Sequence, residues 1–185
     1  MEAIINFDKE VFLFLNQLNH PYLDQLMEWI TFKWTWVPLY AFLIIKIYLR
    51  FKSNSLPVII ALVCLVVVTD QLSSGFLKPF FERIRPCHEE QLSGLINQVV
   101  PCGGQFSFVS GHAANSFALA IFIWLSFGKA WHWIILWATL VAYSRVYVGV
   151  HYPLDIIFGA FLGAGIGYTI FWFLNRINQR IFNPL

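Results

Sequence analysis

The chain has 185 residues, of which 58% are hydrophobic, 18% aromatic and 12% charged, against about 25% charged in an ordinary soluble domain. With 19 Phe, 8 Trp and a mean hydropathy of +0.65, a water-soluble fold would need more buried volume than one small domain supplies, so the apolar surface is expected to face lipid. The formal net charge of +2 excludes the basic field of a nucleic-acid binder, and no nucleic-acid partner is expected.

The first stretch, Ile5 to Phe32, mixes Asp8, Lys9, Glu10, Asn16, Asn19, His20, Asp24 and Glu28 with Phe, Leu, Ile and Trp, and breaks at His20-Pro21. Polar residues recur too often for a simple span, so residues 1–33 read as a pair of short amphipathic helices at the interface. The alternative is a broken sixth transmembrane helix. No basic n-region with a small-residue cleavage site opens the chain, so a removable signal peptide is not expected. Five apolar runs follow, at Trp36 to Leu49, Leu56 to Leu77, Ala113 to Phe127, Trp131 to Val150 and Pro153 to Leu174. At about 1.5 Å rise per residue, each reaches or nearly reaches the roughly 30 Å hydrocarbon layer. The expected fold class is all-α, a polytopic transmembrane helix bundle in one membrane domain over 1–185. Its bundle occupies 34–175, a non-cytoplasmic loop 78–111 and a cytoplasmic tail 176–185.

Drawn as an alternating serpentine, the five runs put Lys46, Arg50, Lys52, Lys129, Arg176 and Arg180 on one side, which should be the cytoplasm. Trp34, Trp36, Trp131 and Trp133 read as interfacial anchors. Gly159, Gly163 and Gly167, four apart on the last helix, fit close packing within the bundle better than a dimer face. Cys64 lies in an apolar run and reads as a small core residue. Cys87 and Cys102 bracket the non-cytoplasmic loop, where a disulfide is expected in an oxidising compartment. Neither cysteine has the spacing partners of a zinc site. Asp70, inside the second run, is expected to pair with a buried donor. His20, His88 and His132 are expected at interfaces.

The cations on the other side need a separate explanation, because charge at the ends of membrane helices is costly without a partner or a role. Lys78 is followed after six residues by Arg85-Pro86; Ser110-Gly111-His112 directly precedes an apolar helix; Ser144-Arg145 is followed after five residues by His151 and after three more by Asp155. An ammonium point charge with planar guanidinium forks suits a tetrahedral phosphate oxyanion. Ser110-Gly111 at a helix start adds free N–H groups and the positive end of the helix dipole. His112 at that rim is placed to protonate a departing oxygen. Pro153 favours the first helical position, which puts Asp155 in the first turn. From there its carboxylate holds one nitrogen of His151 as N–H and leaves the other as a lone pair, the arrangement of a base or nucleophile. Arg83 is poised between phosphate contact and pairing with Glu82 or a headgroup.

These three motifs resemble those of the type 2 phosphatidic acid phosphatase superfamily of integral membrane lipid phosphatases, K-x6-R-P, P-S-G-H and S-R-x5-H-x3-D, in order over residues 35 to 175. Val109 stands where that family usually has proline, which implies altered loop geometry rather than lost activity. The resemblance implies a metal-independent phosphatase with no cofactor. His151 would be the nucleophile forming a phosphohistidine, Asp155 its orienter and His112 the general acid; Lys78, Arg85, Ser110, Gly111 and Arg145 would bind the phosphoryl oxygens. The resemblance implies a lipid phosphate or diphosphate of the undecaprenyl diphosphate, phosphatidylglycerol phosphate, phosphatidic acid or lipid A type as substrate, with undecaprenyl diphosphate or a broad lipid-phosphate range favoured. The expected place is a bacterial cytoplasmic membrane among membrane lipids, with the site facing the periplasm or exterior. A phosphotransferase using the same histidine is the alternative, and a phosphate-ester lipid transporter a weaker one.

Overall fold

The computed structural model describes residues 2–177 and 181–182. Arg180 and most of the expected cytoplasmic tail lie outside the described residues. Two short helices open the chain, α1 (Glu2–Asn16) and α2 (Pro21–Thr31). They meet at the predicted break, where the His20 side chain accepts from the Tyr22 N–H and Pro21 takes the first turn. At about 22 and 16 Å long, neither reaches across a hydrocarbon layer by itself.

The helical run Lys33–Phe81 is long and apolar enough to cross a membrane, but it is a hairpin. α3 (Val37–Phe51) turns at Lys52, whose φ is 47°, into α4 (Ser55–Asp70). α4 continues as a π-helical segment, Gln71–Leu77, and a final turn, α5 (Lys78–Phe81). After the loop come α6 (Gly111–Phe127), α7 (Trp133–Tyr147) and α8 (Pro153–Ile177). Ser110 caps α6, Gly128 at φ 90° ends it, and Gly149 at φ 84° reverses the chain after α7. Among the described residues there is no strand, only the isolated bridge Ile84–Phe106.

α6 is the centre of the bundle. It buries Ala113, Ala114, Ala118, Ala120, Phe122 and Ile123, and its alanines meet the three α8 glycines in parallel register. A Cβ on Gly159 would lie 2.7 Å from Ser110 O, on Gly163 2.0 Å from Ala114 O, and on Gly167 2.4 Å from Ala118 O. The glycine row is thus spent inside the bundle, as small residues are where helix backbones approach closely. Gly163→Ala is therefore expected to separate α6 from α8 and to cost at least about 3 kcal/mol, the upper range for overpacking. Thermal unfolding in detergent checks this; an unchanged midpoint contradicts the packing. Because α6 and α8 run parallel, both helix N-termini point at the same end of the molecule, which is where an anion is favoured.

The outer faces remain apolar. Ile45 and Tyr48 of α3, Val63 and Val67 of α4, and Phe161 and Phe173 of α8 are all more than half exposed, a belt far larger than the apolar patches of soluble monomers. This surface places the bundle in a membrane. Cys64 corrects its expectation: it is exposed on α4 and not a core residue. Asp70 does so as well. It is exposed, and its carboxylate accepts from Ser74 Oγ at 3.5 Å instead of from a buried donor. Trp36 and Trp131 are half-buried against Trp137 and Phe127, while Trp34 and Trp133 stay exposed.

At the end away from the site, Phe51 packs on Phe127 and on Phe182. The α3–α4 turn, the α6–α7 turn and the C-terminal end therefore lie together, carrying Arg50, Lys52, Lys129 and Arg176. At the opposite end, the loop after α5 folds on itself. Arg85 N donates to Gln105 O at 3.1 Å, Ser107 N to Arg83 O at 2.7 Å, and Cys87 is bonded to Cys102 with Cα atoms 6.0 Å apart. Closing a loop of 15 residues stabilises by about 3 kcal/mol in the chain-entropy account. The Phe108–Val109 peptide preceding the second motif is cis.

Candidate active site

His151 sits on the five-residue link between α7 and α8 and is 1% exposed. Its Nδ1 lies 3.3 Å from Asp155 Oδ2, and its Nε2 lies 3.1 Å from Arg85 Nη1. A guanidinium only donates, so Nε2 must accept and carries a lone pair. The ring proton is then on Nδ1, donated to Asp155. The neighbours thereby assign one tautomer, with the unprotonated nitrogen facing the cations. Burial, then the positive charges of Arg85, Arg145 and Lys78, hold the imidazole well below its usual range, so it is neutral at physiological pH.

Each cation is positioned by a different device. Arg85 is buried; Nε donates to Gly104 O at 2.5 Å and Nη1 to Val150 O at 3.1 Å, which locks the loop to the His151 link. Arg145, on the last turn of α7, donates through Nη1 to Thr31 Oγ1. Its Nε is buried without a hydrogen-bond partner among the described residues, an N–H whose desolvation is uncompensated until an acceptor arrives. Lys78 follows the π segment, a wide turn of the kind found at functional sites. That turn also sets Ser73 and Ser74 against the start of α6: a Cβ on Gly111 would lie 3.5 and 3.4 Å from their hydroxyl oxygens.

Ser110 N donates to Asp155 O at 3.0 Å, while Ser110 Oγ accepts from Ala113 N at 3.5 Å. The start of α6 is thereby pinned beside the start of α8. Ser144, part of the third motif, bonds Val141 O at 2.7 Å within its own helix and does not face the other motif residues through its hydroxyl. His112 is half-buried and, with Arg145, lines a cavity of about 550 Å³ closed on its other side by Glu28, Trp29, Thr31, Phe32 and Lys33. A larger groove of about 1100 Å³ runs between α1 and the loop past Phe81, Phe108 and Tyr152. It meets the Asp155 network through Arg83, Tyr152 and Leu154, whereas the smaller cavity is the one lined by two motif residues, His112 and Arg145.

Arg83 pairs with two distant acids and not with Glu82. It donates to Asp155 Oδ1 at 2.8 Å and to Asp8 Oδ2 at 2.6 Å, and its guanidinium lies 4.1 Å over the Tyr152 ring. Asp8 Oδ1 accepts in turn from Leu154 N at 2.9 Å, in the first turn of α8. A second tether runs from Lys9 to Glu89 and from Glu89 to Tyr152 Oη. Burial would raise the Glu89 carboxyl, but the bonds from Lys9 and Tyr152 hold it below the usual carboxylate range. Asp8, Thr31, Ser73 and Ser74 are thus structural neighbours of the motif residues that sequence spacing did not single out, and Arg83 is a neighbour whose partners it left open. The Ser73-Ser74-Gly75 interruption of an apolar run just before Lys78 was the signal available for two of them. Among the described residues, no group of three His, Cys, Asp or Glu side chains is placed to hold a metal ion.

The sequence matches the PAP2 superfamily over residues 58–179. It is 38% identical to the lipid A 4'-phosphatase of Porphyromonas gingivalis over 92% of this chain and 74% of that one. It is also 33% identical to the undecaprenyl-diphosphatase of Sulfolobus acidocaldarius over 90% of this chain and 78% of that one. Among solved structures it is similar to Aquifex aeolicus LpxE, with a TM-score of 0.65, 30% identity and coverage of 87% of this chain and 92% of that one.

Proposed function

The chain belongs to the PAP2 superfamily, a membrane phosphatase of lipid phosphates, and from that premise we propose that it works through a covalent phosphohistidine at His151. The observation that carries this reading is the tautomer forced by Arg85 and Asp155, which leaves Nε2 as the lone-pair nitrogen among the phosphate-binding cations. Nε2 attacks phosphorus as Arg85 Nη1 passes from the imidazole to a phosphoryl oxygen. Arg145, Lys78 and the N–H groups at the start of α6 take the remaining oxygens, a clamp on charge that spreads in the transition state. Asp155 stabilises the cation that forms on the ring. His112 protonates the leaving oxygen and then accepts a proton from the water that cleaves the phosphohistidine. No step uses a metal ion.

The mouth of the site lies at the end opposite Arg50, Lys52, Lys129 and Arg176, and the positive-inside rule then puts it on the periplasmic or outer face of a bacterial cytoplasmic membrane. The chain acts there as one membrane domain, with residues 1–33 forming the wall of the site. A lipid A phosphate is the leading substrate, because the more similar of the two named relatives is a lipid A 4'-phosphatase. Undecaprenyl diphosphate, for which the second relative is named, phosphatidylglycerol phosphate and phosphatidic acid complete the class. The test is phosphate release by purified protein in detergent with EDTA, across that panel. Release from at least one lipid with EDTA present is expected. Loss of release on chelation would overturn the metal-free mechanism, and phosphate passed to a second lipid instead of water would make the protein a phosphotransferase.

A further inference from the structure

The cavity over His112 and Arg145 is closed by residues that precede the PAP2 match at 58–179. Its wall is α2, and α2 is fastened to α7, the helix that carries Arg145. Tyr147 Oη donates to Asp24 Oδ1 at 2.8 Å, Asn97 Nδ2 donates to the same oxygen at 3.1 Å, and His20 N donates to Tyr147 Oη at 3.1 Å. At the other end, Thr31 accepts from Arg145. Side chains on this wall therefore stand at a fixed offset from the phosphate-binding guanidinium.

Three of them, Glu28, Trp29 and Lys33, line the cavity yet are exposed, Trp29 by 71%. Their side chains make no hydrogen bond or ion pair among the described residues, and the Lys33 ammonium lies 5.4 Å from the centroid of the neighbouring Trp34 ring. Phosphate itself is already served by Lys78, Arg85, Arg145 and the start of α6. The cavity, about 550 Å³, is within the size range of sites that enclose a small organic molecule. A phosphatidic acid or a prenyl diphosphate brings only a phosphate and a tail to this point. An indole face beside a carboxylate and an ammonium suits something else. The C–H face of a pyranose packs on an aromatic plane, its hydroxyls donate to a carboxylate, and its amide or second anionic substituent accepts from an ammonium.

We propose that Glu28, Trp29 and Lys33 form a subsite for the sugar ring that bears the scissile phosphate, so that the preferred substrate is a phosphorylated glycolipid. This rests on the phosphatase reading above and adds specificity to it. The competing role for Trp29 is a membrane anchor. Tyr22, also on α2, 80% exposed and absent from the cavity lining, provides the control for that role.

The experiment compares kcat/KM for lipid A monophosphate and for phosphatidic acid in the same micelles. Trp29→Ala is expected to lower the glycolipid-to-phosphatidic acid ratio about tenfold, and Lys33→Gln to lower it in the same direction. Tyr22→Ala is expected to leave the ratio unchanged. A Trp29→Ala variant that loses both activities equally, or a Tyr22→Ala variant whose ratio falls as far, overturns the subsite. A second measurement does not depend on lipid presentation: glucosamine 1-phosphate should inhibit the wild-type protein more strongly than inorganic phosphate, and Trp29→Ala should erase that difference. Equal inhibition of the wild-type protein by the two anions also overturns it. Wild-type protein that releases phosphate from neither of these lipids overturns the subsite, whereas release from no lipid of the wider panel sinks the phosphatase reading itself.

Discussion

Replacing His151 with alanine is expected to lower phosphate release by at least about 10⁴-fold, the scale on which a lone nucleophile is lost from a site whose charge clamp is left intact. The size follows from the division of labour. On the proposed mechanism Lys78, Arg85 and Arg145 keep their places for the phosphoryl oxygens in the variant, so KM should change little, while the nitrogen assigned as the nucleophile is gone. His112 is on the α6 side of the site and lines the cavity, which suits proton transfer to the leaving oxygen. His112→Asn should therefore slow both halves of the reaction by about 10²–10⁴-fold, the contribution of general acid–base catalysis, without abolishing the covalent intermediate. Rapid quenching into alkali and mapping of the labelled peptide checks both statements. The acid-labile, alkali-stable phosphate should sit on His151 in the wild-type protein and in His112→Asn. Label on any other residue contradicts the assignment.

Much of this site was readable in sequence because its parts are local. Pro153 starts α8 and places Asp155 one turn in; Ser110 caps α6; His151 and Asp155 are separated by a single short link. The glycine row on α8 was equally legible, since close helix approach leaves a four-residue period. Non-local pairs were not. Arg83 and Asp8 are 75 residues apart, Arg145 and Thr31 114 apart, and a lone arginine beside two candidate acids has no preferred partner until the chain is folded. Cys64 and Asp70 were misplaced for a different reason. In water an apolar run reports burial, but a helix in lipid is apolar on both its packed and its outer faces. α4 buries Val58, Ala61, Leu65 and Thr69 while leaving Val63, Cys64 and Val67 outside, so hydrophobicity alone no longer distinguishes core from surface.

Arg83→Ala is expected to be the most destabilising single change at the site, because it strands two buried carboxylates. Asp8 is 3% and Asp155 0% exposed, and each spends an oxygen on this one guanidinium. Breaking a buried pair from one side costs about 3–5 kcal/mol, since the remaining charge stays out of water without compensation. Its effect on catalysis should be indirect. Arg83 meets the reacting atoms only through Asp155, so it is a positioning residue, and loosening Asp155 should lower kcat about 10–100-fold with KM nearly unchanged. A rise in KM at constant kcat would make Arg83 a phosphate ligand instead. Arg83→Lys should rescue little, because one ammonium cannot span the two carboxylates as the planar fork does. The coupling to α1 is separable by a double-mutant cycle: Asp8→Asn should slow the wild-type protein but cost much less in the Arg83→Gln background, where the bridge is already broken. Additive losses would show that α1 supports α8 only through its bond to Leu154 N, and that Asp8 has no part in holding Asp155 against His151.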